Sequence, residues 1–377
     1  MPKIIGTIYY LNDTSRYHLI KLNDSMKNEI NFSRRYFLSV AALTIAATEI
    51  GSFNLLSANE MPDMTTQTRK GNGIAISYFK EIKQIKAGLL DIGYAEAGPA
   101  NGKPVILLHG WPYSIDSYAE VSALLSEKGY RVIVPHLRGH GSTRFLSEST
   151  KRNGQQSAIA CDIIELMDAL KIDSAVIAGY DWGARTANII AALWPERCEA
   201  LVSVSGYLIG SQEINKKPLS PKNEQSWWYQ FYFATERGRM GYDANRKEFA
   251  RLIWQTASPK WKFDDATFDR SAAVLDNADH VEIVIHNYRW RLGLADGEAH
   301  YDKYEETLAA GPSITVPTIT IEGDENGAPH PAPENYKGKF KGKYIHLNLS
   351  GGIGHNPPQE SPKLFADAVI QAAKMAL

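Results

Sequence analysis

Gly179-Tyr180-Asp181-Trp182-Gly183 has the outline of a nucleophile elbow, G-x-S-x-G, with aspartate in the serine position. Ala175 to Ala178 reads as a short buried strand before it, and Ala184 to Trp194 reads as a helix after it. Strand, tight turn and helix is the context such a nucleophile needs. A serine hydroxyl must lose a proton before it attacks, whereas a carboxylate is anionic at neutral pH. Aspartate here suits displacement at a saturated carbon that bears a leaving group, which points to an epoxide or an alkyl halide.

An ester on Asp181 must then be cleared by water, which needs a base and a group to orient it. His355 lies in Gly351-Gly352-Ile353-Gly354-His355-Asn356-Pro357, a loop expected between the last strand and the last helix. Its neutral imidazole can take a proton from water. His330, between two prolines, is expected on a surface loop. The orienting acid is expected at a strand end, and Asp324 in Glu322-Gly323-Asp324-Glu325-Asn326-Gly327 meets that requirement. Its short carboxylate favours it over Glu325, which spacing alone leaves open. Val204-Ser205-Gly206-Tyr207 offers no carboxylate at the end of the preceding strand. Nucleophile, acid and histidine therefore run in the chain order Asp181, Asp324, His355.

These residues need a frame. Val105 to Leu108, Tyr130 to Val134, Ala175 to Ala178, Leu201 to Val204, Ile314 to Ile321 and Tyr344 to Leu349 read as strands. Helical spacing marks Ser114 to Lys128, Ala158 to Leu170 and Pro358 to Met375. Ile74 to Tyr78 and Leu89 to Tyr94 read as a first hairpin. Strands alternating with helices imply an α/β fold with a mostly parallel, doubly wound sheet. From about 211 to 312 the alternation gives way to a helical, aromatic-rich stretch with Trp227, Trp228, Trp254, Trp261 and Trp290, five of the eight tryptophans. It reads as a helical cap over the carboxyl edge of the sheet, between core segments 59–210 and 313–377.

His109-Gly110-Trp111-Pro112, Arg138-Gly139-His140-Gly141-Ser142, Gly179 to Gly183 and Gly354-His355, in this order, resemble the epoxide hydrolase and haloalkane dehalogenase branch of the α/β-hydrolases. The likeness runs from about Ile74 to the end. It departs at His136, where relatives often carry aspartate, and His136 is not read as catalytic. The resemblance implies an oxyanion hole built from the Trp111 and Trp182 amides. It also implies two cap tyrosines that hydrogen-bond an epoxide oxygen. Trp228-Tyr229-Gln230-Phe231 and His286-Asn287-Tyr288-Arg289 match the family segments that carry them, at Tyr229 and Tyr288. His109, Pro112, Trp228 and Phe231 are the candidate pocket residues, with His109 expected to be structural rather than catalytic. The expected reaction opens an apolar epoxide to a diol without metal or organic cofactor. A haloalkane or haloacid dehalogenase using the same triad is the alternative, with the Trp182 indole holding halide. The haloacid form resembles fluoroacetate-type enzymes, whose arginines grip a substrate carboxylate, a part open to Arg185 or Arg144, although an arginine after the elbow is expected to be structural. A ligand-binding protein that kept the fold is a rival from another class.

Composition narrows the partners. A net charge of -1, with 22% charged and 44% apolar residues, gives no reason to expect nucleic acid. Two cysteines, Cys161 and Cys198, make neither a disulfide framework nor a metal cluster. Ser33-Arg34-Arg35-Tyr36-Phe37-Leu38 opens an apolar run to Thr48, as a twin-arginine export signal would. The run is shorter than the ~20 residues that span a bilayer. Export to the periplasm or beyond, with a cytoplasmic protein as the alternative, cleavage near Ala58 and a start at Met26 or Met1 are the expectations for residues 1–58, which are set aside from the fold. The sequence carries no signal for oligomeric state.

Overall fold

The computed structural model describes Phe79 and residues 81–377. The arginine pair, the apolar run after it and the first half of the expected hairpin lie outside the described residues.

Among the described residues, nine strands form one sheet in the order β1-β2-β4-β3-β6-β7-β8-β9, with the short β5 (Arg144–Phe145) paired to β2. β1 (Lys83–Ala87) and β2 (Leu90–Ala97) make an antiparallel hairpin, and β2 also runs antiparallel to β4 (Tyr130–Pro135). From β4 onward the pairing is parallel, through β3 (Lys103–Leu108), β6 (Ala175–Gly179), β7 (Cys198–Val204), β8 (Thr318–Gly323) and β9 (Tyr344–Leu349). β8 starts later than the apolar run suggests. Ile314 makes only an isolated bridge to Phe340, and Pro317, with no N–H to donate, falls between them.

The central strands are covered on both faces, which is why they read as continuous apolar runs. Ile106 and Leu108 of β3 enter one core with Ile177 and Leu201, while Val105 and Leu107 enter the other with Val176, Val202 and Ile319. On the first face lie α1 (Gln156–Ala169) and α2 (Trp182–Leu193), and on the second α3 (Ala119–Glu127) and α4 (Pro362–Met375). Each buried Val, Leu or Ile stabilises the fold by roughly 1.5–3 kcal/mol, so the middle of the sheet is its most rigid part. Asp181 stands just past the end of β6, in that middle.

Between β7 and β8 the described residues form helices and no strand. α5 (Trp228–Ala234), α6 (Glu236–Ala244), α7 (Arg246–Ala257), α8 (Asp265–Ala272), α9 (His280–Arg291) and α10 (Asp302–Ala309) make up most of this region. Two of them begin on side-chain caps, Thr235 Oγ1 accepting from the Gly238 amide at 2.9 Å and Asp264 Oδ1 from the Thr267 amide at 2.8 Å. α5 and α9 are locked together by the edge-on rings of Tyr229 and Tyr288, with centroids 5.4 Å apart, and by Arg289 Nε donating to the Phe233 carbonyl at 3.0 Å.

The Arg-Gly-His-Gly-Ser segment is structural. Arg138 is buried and forms a two-pronged pair with Asp162, both contacts at 2.6 Å, which ties the loop after β4 to α1. His109 is also structural. Its Nε2 accepts from the Leu137 amide at 3.2 Å, so Nδ1 carries the proton and donates to the Gly110 carbonyl at 2.9 Å. Burial pushes this imidazole down to about 4, so it stays neutral and anchors the loop that leads to Trp111.

Candidate active site

Asp181 occupies the turn between β6 and α2 with φ of 53°, a conformation L-residues rarely adopt. Close packing makes the turn possible. A Cβ on Gly183 would collide with the Leu108 carbonyl, and one on Gly110 would lie 2.5 Å from the Asp181 Cβ. The strain holds the carboxylate up at the sheet edge, before the N-terminus of α2, whose dipole favours an anion.

The two carboxylate oxygens have different surroundings. Oδ1 accepts from the Trp111 amide at 2.8 Å, and Oδ2 lies 3.4 Å from Nε2 of His355. Burial works against the charge, but His355, Arg185 and the Trp182 amide outweigh it and hold the Asp181 carboxyl below its ordinary range. The Trp111 amide holds Oδ1, and the Trp182 amide also reaches this carboxylate, so the two amides expected to form an oxyanion hole both lie beside Asp181. The Trp111 indole is held in place from the cap, its Nε1 donating to the Tyr242 hydroxyl at 2.8 Å.

Tyr229 and Tyr288 both line a cavity of about 620 Å³ between sheet edge and cap, together with Asp181, Trp182 and His355. Burial, and the nearby charge of Asp181, push the Tyr229 phenol up to about 12. The Tyr288 phenol is pushed well above its ordinary value by burial, by Tyr229 and by Asp181. Both are proton donors across the neutral range.

The orienting acid differs from the expectation. Asp324 is exposed and accepts from the amides of Gly351, Gly352 and Ile353 at 2.9, 2.9 and 2.8 Å. The three amides engage both oxygens of the carboxylate, so Asp324 shapes the loop that carries His355, and its hydrogen bonds go to that loop and not to the imidazole. Asn326 takes that role, its Oδ1 lying 3.1 Å from His355 Nδ1. The Asn326 amide in turn donates to Glu322 Oε1 at 2.7 Å and to Ser205 Oγ at 3.2 Å. A buried carboxylate therefore stands one residue removed from the histidine. Asn326→Ala is expected to slow ester hydrolysis about 10- to 100-fold without slowing ester formation, the worth of one or two well-placed hydrogen bonds. Asp324→Asn keeps an acceptor for the loop amides and is expected to change that step less than about threefold. Rapid-quench rates of the two steps decide the ranking, and the reverse order would return the role to Asp324.

The pocket expectations hold in part. Trp228 lines the cavity although it is 39% exposed. Phe231 is 47% exposed and turns away from the cavity, because it falls on the outer face of α5, two residues past Tyr229. His109 is buried behind the oxyanion loop, and the Pro112 carbonyl accepts from the Trp254 indole at 3.1 Å. Neither is among the cavity's lining residues. Sequence reading also missed Tyr242, Asn326, Glu322 and Arg291. Arg291 alone had a local signal, three residues after Tyr288 on the same helix face.

The fold defines an α/β-hydrolase, with Asp181 standing at the elbow between β6 and α2. Comparison agrees. Residues 103–255 match the alpha/beta hydrolase fold family. The crystal structure of a candidate epoxide hydrolase from Klebsiella pneumoniae subsp. pneumoniae is 64% identical, with a TM-score of 0.78 over 79% of this chain and 99% of that one. A curated epoxide hydrolase of Caballeronia sordidicola is 28% identical over 61% of this chain and 73% of its own length. Epoxide hydrolase B of Mycobacterium tuberculosis is 32% identical over 36% of this chain and 41% of its own length. Potato epoxide hydrolase I, at 19% identity and a TM-score of 0.62, shares the fold. The chain belongs to the alpha/beta hydrolases, is an enzyme of that fold, and has epoxide hydrolases among its relatives.

Proposed function

We propose that this enzyme opens a small epoxide to a diol through an ester on Asp181. The observation that carries the reading is the division of labour at Asp181, Oδ1 held by the Trp111 amide and Oδ2 left towards the cavity, with two protonated phenols lining the same space. Oδ2 attacks a ring carbon and the carbon–oxygen bond breaks. Tyr229 and Tyr288 hydrogen-bond the departing oxygen, and one of them passes it a proton. His355, its Nδ1–H held by Asn326, then takes a proton from water through Nε2, and the water attacks the Asp181 carbonyl carbon. Oδ1 carries the oxyanion, held by the Trp111 and Trp182 amides. Collapse expels the alkoxide, which takes the proton from His355, and the diol leaves; the proton remaining on the Asp181 carboxyl returns to the tyrosinate, which restores both groups.

The test is a single turnover with excess enzyme in ¹⁸O-water. The first diol is expected to carry an unlabelled oxygen from Asp181, and immediate solvent label in that diol rejects the ester route. Tyr288→Phe and Tyr229→Phe are each expected to slow ester formation about 10²-fold, the usual cost of removing one such donor. Single-turnover rates with an activated aryl epoxide measure it.

One observation favours a second reading, release of halide from a haloalkane. The Trp182 Nε1 is buried with no hydrogen-bond partner among the described residues and could hold a leaving halide. The Trp111 indole, already donating to Tyr242, is not free to be a second halide donor. Chloride or bromide release that survives loss of both tyrosines would favour this reading. The arginine pair at Arg34 and Arg35 supports export by the twin-arginine route, tested by cell fractionation of an Arg34→Lys, Arg35→Lys variant.

A further inference from the structure

The cavity holds more positive charge than the reaction above uses. Arg185, on α2 one turn after the nucleophile, and Arg291, the last residue of α9, both line it. Arg185 Nε donates to the Leu208 carbonyl at 3.2 Å, which holds its stem against the linker from β7 to the cap. Arg291 is 9% exposed and lies over two rings, 4.9 Å from the centre of Trp227 and 5.6 Å from that of Tyr288. Among the described residues, no carboxylate forms an ion pair with either guanidinium, and Asp181 is the only acidic side chain lining the cavity. Asp181 is engaged by Trp111 and His355. Two cations against one anion leave one positive charge without a carboxylate partner in a cavity to which eight tryptophan and tyrosine rings contribute, an arrangement that a bound anion would complete. The two cations also feel each other, because burial and then repulsion from Arg291 push Arg185 down to about 10. Folding gains nothing from setting two guanidiniums together here, whereas a bound anion would gain from both.

Resting on the epoxide reading, we propose that the substrate is an epoxy acid, its carboxylate bound by Arg185 and Arg291 while its oxirane lies between Asp181 and the two tyrosines. A planar carboxylate matches the planar fork of a guanidinium, and the rings of Trp227 and Tyr288 hold the Arg291 fork flat for it. The expectation of a purely apolar substrate is thereby narrowed to one with an apolar body and an acidic end.

The test compares terminal epoxy acids of graded chain length with their neutral carboxamides, which match them in shape. The wild-type enzyme is expected to favour the best acid over its carboxamide by about 10- to 100-fold in kcat/KM, mostly through KM, as for charge-assisted hydrogen bonds. Arg291→Met is expected to bring that ratio close to one, and Arg291→Lys to keep part of it. An acid-to-amide ratio near one in the wild-type enzyme overturns the assignment. So does an Arg291→Met variant that slows acid and amide equally through kcat, which would mean that the arginines serve the tyrosines. Calorimetry with the product diol acid and diol amide separates this inference from the one beneath it. Arg291-dependent preference for the diol acid, without turnover of any epoxide, would remove the epoxide reading and leave the anion site. Epoxide turnover without any preference for acids would do the reverse.

Discussion

Asp181→Ala is expected to abolish epoxide turnover, lowering kcat by about 10⁴-fold or more, the scale on which loss of a nucleophile is felt. The fold should survive, because the side chain removed is not part of either core. What is lost is the one carboxylate whose oxygens are already sorted into an attacking atom and an atom in the oxyanion hole. Alanine also relieves nothing at φ of 53°, since any Cβ is strained there, so the variant keeps the turn and loses only the chemistry. The wild-type pH profile belongs to the same prediction. The folded enzyme holds Asp181 below the ordinary carboxylate range, so the nucleophile stays charged as pH falls towards about 4. Tyr229, pushed up to about 12, stays protonated as pH rises. Ester formation, measured by single turnover, should therefore be flat between about pH 5 and 10, and its acid limb should fall below the ordinary carboxylate value. An acid limb near pH 6 would assign the nucleophilic step to a different group.

His355→Gln should produce a different failure. One equivalent of epoxide is consumed, no diol appears, and intact mass rises by the mass of the epoxide. The step lost is general-base activation of water, worth about 10²- to 10⁴-fold, while the attacking carboxylate and the two phenols are left in place. His355 is held by three separate contacts, one through its backbone and two through its ring, which is why a neighbouring side chain should not replace it. Its backbone amide donates to Ser258 Oγ at 2.8 Å, Nδ1 meets Asn326 at 3.1 Å, and Nε2 faces Asp181 Oδ2 at 3.4 Å. Peptide mapping should find the trapped ester on Asp181. Diol formation at the wild-type rate would remove His355 from the second step.

Several parts of this site could be read without coordinates, because local pattern determines them. A buried strand, a G-x-D-x-G turn and a helix leave one geometry for Asp181, and a Gly-rich turn between the last strand and the last helix brings His355 to the same edge. Tyr229 and Tyr288 were identified by resemblance, and their helices bring them together edge to face. The Trp111 and Trp182 amides follow from the turn itself. The strand limits were read well where runs were apolar throughout and less well at β8, where the apolar pattern begins before the hydrogen-bonded ladder does.

Other features depend on where distant segments meet. Asp324, Glu325 and Asn326 follow one another in a loop, and no periodicity says which one faces the histidine. The amides of residues 351–353 capture Asp324, and the turn that results leaves Asn326 under His355, with Glu322 behind it. Phe231 resembled a pocket residue but points outward, because the face that α5 buries is set by its packing against α9. The Trp111 indole is tied to Tyr242, and Arg185 meets Arg291 only because the cap folds over the sheet. The sequence by itself therefore determined the fold and brought Asp181 and His355 to one sheet edge, all of which rest on short-range pattern. The tertiary structure decided which residue orients the base and how much charge surrounds the substrate, since those depend on side chains brought together from segments far apart in the chain.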